Sequence, residues 1–100
     1  MSINFAIDAL YAGGWSTLDS TGCETAPDGR VYPGLTRVRS EFAQLGYDLD
    51  IRKVEEFDCF RAEWSRPGEK AEGSVVGQTE TEAAVYALAQ ARRAPTHAPA

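Results

Sequence analysis

Three aspartates close together in the chain, Asp48, Asp50 and Asp58, are the residues best placed by type to do chemistry. In a strand, alternation puts Asp48 and Asp50 on one side with Arg52 next along, and a neighbouring strand would bring Asp58 near them. Carboxylates gathered in this way bind Mg²⁺ or Ca²⁺, or divide acid and base roles where burial separates their pKa values. No glycine-bearing ligand loop and no third fixed ligand accompanies them. The pattern therefore reads as a polar outer face on which Arg52 pairs with one of the acids, and no metal or cofactor is expected.

The remaining reactive residues are sparse. His97 is the one histidine, and it falls in Ala94 to Ala100, a stretch that cannot continue a helix and has nothing to bury. Nucleophilic catalysis by Ser or Cys needs an imidazole held by a partner, which a tail residue does not provide. Cys23 and Cys59 form no CxxC pair and no spaced series, so two free thiols are expected. Cys59 alternates within a strand pattern and reads as a small buried hydrophobe, whereas Cys23 sits in a polar loop and should be the more reactive. Gly13-Gly14-Trp15-Ser16 has the glycines of a phosphate loop without its lysine or spacing. These absences point away from an enzyme.

Ten Lys and Arg against fifteen Asp and Glu give a net charge of -5, which repels phosphate backbones and anionic membranes unless the bases cluster. Their densest groupings are pairs, Arg37 with Arg39, Arg52 with Lys53, and Arg92 with Arg93, each with acids close by in sequence. No apolar run approaches the roughly 18 residues of a membrane span, and Met1-Ser2-Ile3-Asn4 lacks the positive start of a secretory signal. A cytoplasmic location is expected.

The elements that must position these residues are legible in outline. A single domain over 1–94 is expected, with an N-terminal element and long loop (1–32), an αβββα unit (33–93) and a disordered tail (95–100). Residues 3–12 fit both periods, with Ile3, Ile7, Leu10 and Tyr11 as a helical stripe or Ile3, Phe5, Ile7 and Ala9 as a strand. Gly13-Gly14 and the Ala and Leu content favour a helix. From Trp15 to Arg30 neither period appears, and a loop is expected, closed by a turn at Pro27-Asp28-Gly29.

Pro33 suits the first turn of a helix carrying Leu35, Val38, Phe42 and Leu45, which Gly46 ends. Tyr47, Leu49 and Ile51 alternate with acids and Arg52, and Phe60, Ala62 and Trp64 do the same within Phe57 to Ser65. Pro67-Gly68 fits a type II turn leading to a third strand around Glu72 to Val76. The last helix opens on the capping box Thr79-Glu80-Thr81-Glu82, carries Ala84, Leu88 and Ala91 with Thr81 and Val85 beside them, and ends at Arg92-Arg93 before Pro95. The expected fold class is α+β: two helices on one face of a three-stranded antiparallel sheet, with an additional N-terminal helix or strand.

From Tyr32 to Arg93 this layout resembles the double-stranded-RNA-binding domain, including the glycine of Gly77-Gln78-Thr79-Glu80-Thr81-Glu82-Ala83. That family opens its last helix with lysines that grip phosphates, where this chain has Glu80, Thr81 and Ala84, so the resemblance implies the fold rather than RNA binding. The strand Phe60-Arg61-Ala62-Glu63-Trp64 with the closing Thr-Glu-x-x-Ala helix is also similar to small phage and prophage proteins of the "ABA sandwich" type. Val75-Val76-Gly77-Gln78-Thr79-Glu80-Thr81-Glu82-Ala83 resembles the strand and helix of the HicB kind of antitoxin domain.

The function expected is that of a non-enzymatic protein–protein interaction module, through a protein partner or self-association. Trp15, the aromatic most expected to be exposed, and Tyr32 would belong to the partner surface. In the alternative reading, a nucleic-acid-binding or antitoxin-like regulatory domain, Arg37, Arg39, Arg52 and Lys53 would supply the cationic contacts.

Overall fold

The computed structural model describes residues 3–16 and 21–93, so the expected tail at 95–100 and His97 lie outside the described residues. Ile3–Ala12 form helix α1, Cys23–Thr25 and Val31–Pro33 a short antiparallel pair β1 and β2, and Leu35–Gln44 helix α2. Strands β3 (Asp48–Val54), β4 (Cys59–Ser65) and β5 (Ala71–Gly77) make an antiparallel sheet with β4 in the centre, and helix α3 runs from Glu80 to Arg93. The fold is α+β, with α2 and α3 packed against the three-stranded sheet as the periodicities predict. The N-terminal element is a helix.

Strand alternation sets the two faces of the sheet. Leu49, Ile51, Phe60, Ala62, Trp64 and Val75 turn inward and pack into the core with Val38 and Phe42 of α2 and the apolar side chains of α3. Phe42 is fully buried, with its ring 5.8 Å from that of Trp64 and 6.3 Å from that of Tyr47. The sheet narrows for this packing at Gly73, opposite Trp64, where an added Cβ would lie 2.4 Å from the indole ring.

Helix α3 is buried more widely than the stripe of Ala84, Leu88 and Ala91 predicts. Glu82, Ala83, Ala84 and Val85 are consecutive and all buried, and at about 100° per residue they point in every direction around the axis. The cause is α1, which packs on α3 through Ala6, Ile7 and Leu10 in addition to the sheet and α2. Alanines at 83, 84, 87 and 89 permit three neighbours to approach one helix.

The two N-terminal helices end with the same device. After α2, the Gly46 amide donates to Ala43 O at 3.0 Å and the Tyr47 amide to Phe42 O at 2.9 Å. After α1, the Gly14 amide donates to Tyr11 O at 3.0 Å and the Trp15 amide to Leu10 O at 3.3 Å. This is the double reverse hydrogen bond of a Schellman turn, which requires a left-handed residue and folds the next side chain back onto the helix. Gly14 and Gly46 supply it, with φ of 95° and 88°. An added Cβ at Gly46 meets only ordinary contact, so Gly46→Ala is expected to cost about 1–2 kcal/mol through backbone strain alone, read as a lower urea midpoint with an unchanged slope.

Four expectations are corrected. Pro33 ends β2 and does not begin a helix; α2 starts at Leu35, after Gly34. Gly34 lies so close to β1 that an added Cβ would sit 2.9 Å from Gly22 O, so the chain there belongs to the strand pair. Part of the expected loop is this pair: the Gly29 amide donates to Ala26 O and the Ala26 amide to Arg30 O, so the Pro27-Asp28-Gly29 turn makes a hairpin. The capping box closes on one side only. Thr79 Oγ1 accepts from the Glu82 amide at 3.0 Å, but the Glu82 side chain is carried into the interior, where Oε2 has no hydrogen-bond partner. Cys59 lies on the outer face opposite Val54 and is half-buried, because its parity is opposite to that of Phe60, Ala62 and Trp64.

Candidate interaction surface

Among the described residues, no element covers the face of the sheet opposite the helices, and its composition follows from register. Arg52 lies directly opposite Arg61, and Asp50 directly opposite Glu63. On β5 the same two rows continue as Val76 and Ser74. A row of cations therefore runs across the strands beside a row of anions, about 7 Å away by the strand repeat. Ion pairs form along each strand: Arg52 Nε to Asp50 Oδ2 at 2.6 Å, and Arg61 NH2 to Glu63 Oε2 at 2.8 Å. The four side chains line a shallow depression.

Like charges directly opposite one another on adjacent strands are unfavourable. Here both rows have that arrangement, so the in-strand pairs must offset it. The Arg52 guanidinium is held above its ordinary pKa by the hydrogen bond to Asp50, then by the charge of Asp50, with Glu63 adding a further attraction. Val76, about half exposed, is the apolar residue at the β5 end of the cation row.

Asp48 lies in the next row beyond the acids, opposite Ser65. Asp58 does not join it. It sits after the 3-10 turn Glu55–Phe57 in the left-handed region, φ 50° and ψ 49°, with Lys53 Nζ at 3.5 Å from its carboxylate. Among the described residues, no group of three or more His, Cys, Asp or Glu side chains is placed to hold a metal ion. Arg52 pairs with an acid, as the alternation of β3 predicts.

The residues first read as a partner surface are not together. Trp15 is corrected outright: it is 5% exposed, and its indole N–H lies 3.1 and 3.2 Å from the two carboxylate oxygens of Glu41. The Schellman turn at Gly14 folds it inward, and Gly-Gly followed by a large apolar residue was the signal in the sequence. Tyr32 is half-buried in β2 with its hydroxyl donating to Glu24 at 3.2 Å. Burial raises the pKa of that phenol first, and the neighbouring Glu24 carboxylate adds to it.

Arg37 is half-buried beside Trp15, with Nε donating to Glu41 at 2.8 Å and NH1 donating to Thr21 O at 2.6 Å and lying 3.5 Å from Cys23 Sγ. Cys23 is thus half-buried in a strand rather than in a loop. Arg39 donates to Leu49 O at 2.7 Å on the β3 side. Lys53 lies over the Phe60 ring at 6.0 Å. The four bases occupy separate places, each against an acceptor, a carboxylate or a ring.

Glu41 is the hub of this half-buried cluster, accepting from both Trp15 and Arg37. Glu41→Ala leaves the indole N–H and the half-buried guanidinium without that acceptor and is expected to cost about 1–3 kcal/mol by urea denaturation. Glu41→Gln keeps an acceptor and is expected to lose clearly less.

The hairpin is held to α1 from outside. Tyr11 donates its hydroxyl to Val31 O at 2.6 Å, and Arg30 bridges Asp8 and Asp28. The Arg30 amide holds the Asp28 carboxyl below its ordinary value against the opposing effect of burial, and the Arg30 guanidinium adds to the lowering. A carboxylate with a depressed folded-state pKa stabilises the fold above its unfolded value near 3.8 and loses that contribution as pH falls through the folded value. Asp28→Asn is therefore expected to lower stability above about pH 4, where the carboxylate's contribution is fully present, and to change it least at the lowest pH, so that the acid limb of the stability–pH curve flattens.

Among the described residues, no helix is long and apolar enough to cross a membrane. Compared with known proteins, the sequence matches no family model, no curated protein and no solved structure, so the reading of this surface rests on its geometry.

Proposed function

We propose that this chain is a non-enzymatic association module that docks another protein on the open face of its sheet. The observation that supports the reading is the arrangement of Asp50, Arg52, Arg61 and Glu63 in two like-charged rows. A solvated face gains nothing from placing like charges opposite each other. A protein surface bearing the reverse rows gains from both, and exclusion of water strengthens each contact. The depression holds equal numbers of acids and bases, so it favours a mixed-charge protein over a uniformly anionic polymer. Nucleic acid would need the cations gathered in one groove, whereas Arg37, Arg39, Arg52 and Lys53 are dispersed.

A photo-crosslinking residue at Ser74, exposed on this face, tests the reading in an extract of the source cells. Covalent adducts at Ser74, lost when Arg52 and Arg61 are both changed to Glu, are the expected result. An adduct-free Ser74 position overturns the docking face. Duplex RNA or DNA at low salt is expected to show no binding, and binding that weakens with added salt would favour nucleic acid instead.

A further inference from the structure

We propose that the open sheet face is the seat of a second copy of this chain, related by a two-fold axis that lies in the interface and runs along the charged rows. The inference rests on the docking reading above and names its partner. Take the axis between the row of Arg52 and Arg61 and the row of Asp50 and Glu63. Rotation about it turns one sheet face-down onto the other and exchanges positions on either side of the axis. Arg52 then faces the second copy's Asp50, and Arg61 faces the second copy's Glu63, with the reciprocal pairs made by symmetry.

The outer rows obey the same operation. Asp48 comes opposite the second copy's Val54, Ser65 opposite its Cys59, and Ser74 opposite its Val76, so no like charges meet anywhere on the face. A two-fold axis along the strands would instead place each Arg row on an Arg row. The register therefore selects one of the two aligned ways of stacking this sheet on itself, and aligned stacking tolerates the usual twist of about 30°. The face also carries two acids and two bases at its centre, so the net charge of -5 on the whole chain does not act through the contact itself.

The size of the face fixes the strength of the pair. Three strands about 4.8 Å apart and seven residues long offer roughly 350 Å² on each copy. A stable specific interface uses about 800 Å² per partner. The pair is weak and reversible, populated at high protein concentration and sensitive to salt, because its contacts are ion pairs on a small face.

Sedimentation of the purified chain tests this. At about 1 mM protein and low ionic strength the average mass is expected to rise above that of the monomer and to return to it with added salt. Arg52→Glu with Arg61→Glu makes both central rows acidic, and Asp50→Arg with Glu63→Arg makes both basic. Each variant alone is expected to stay monomeric at every concentration, and an equimolar mixture of the two is expected to form a mixed pair. Arg52→Lys with Arg61→Lys keeps the charges and is expected to keep the association. Circular dichroism confirms that these surface changes leave the fold intact. A native chain that is monomeric at all concentrations, or recharged variants that associate as the native does, or a mixture that does not pair, overturns the self-pairing. In that event adducts to a different protein at Ser74 leave the docking reading standing, and their absence removes both.

Discussion

Phe42→Ala is expected to cost about 3–5 kcal/mol and to leave the domain largely unfolded at 37 °C. Among the described residues Phe42 is the largest fully buried side chain, and it joins α2 to the central strand through Trp64 and to the start of β3 through Tyr47. It is also the residue whose carbonyl accepts the Tyr47 amide in the turn after α2, so the truncation opens a cavity where helix, turn and sheet meet. A chain of this length has roughly 5–15 kcal/mol of stability in all, so the loss removes a large share of it. Urea denaturation followed by far-ultraviolet circular dichroism reads the effect. Phe42→Leu, which fills most of the volume, is expected to recover more than half of it.

Gly77→Ala is expected to cost about 3 kcal/mol although it adds a single methyl group. The new Cβ would stand 2.6 Å from the Ala83 amide nitrogen and 2.9 Å from Ala83 Cα. Both are backbone atoms in the first turn of α3, so no rotamer change relieves the contact, and the helix must move away from β5. Adding Ala83→Gly to this variant is expected to restore nothing, because the clash is not with the alanine side chain. A thermal melt of the two variants reads this directly. Restoration by Ala83→Gly would mean that the helix approaches the strand in some other way.

Much of this fold is legible from period and punctuation. Val38 and Phe42 in α2, the alternation of Leu49 and Ile51 and of Phe60, Ala62 and Trp64, the Pro67-Gly68 turn and the Thr79 cap all mark elements that form where the pattern puts them. The turn is closed by the Glu69 amide donating to Arg66 O at 2.9 Å, with Gly68 at φ 79°. Residues 3–12 satisfied two periods at once, and what decides for a helix is tertiary: Ala6, Ile7 and Leu10 are the face that α3 covers.

What escaped the sequence has local physical causes. Strands β1 and β2 are three residues each, too short for alternation to show, and they are fixed by the hairpin turn rather than by a core face. Trp15 is drawn inward by a backbone motif whose only sign is a glycine and the residue after it. The charged face was half visible, since Asp50 and Arg52 share a side in any strand reading of β3. Arg61 and Glu63 alternate outward just as plainly in β4. Their pairing with Arg52 and Asp50, however, depends on the register set by the turn Glu55–Phe57 and the left-handed Asp58, which no periodicity reveals.

Nuclear magnetic resonance of the ¹⁵N-labelled chain, recorded as its concentration is raised at low salt, tests the central claim that this protein associates through the open sheet face. The expected result is a set of shift changes confined to Asp50, Arg52, Arg61, Glu63, Ser74, Val76 and their immediate neighbours, reversed by added salt. Amides of this face that stay unmoved while those of α1 or of the β1 and β2 hairpin shift would contradict it.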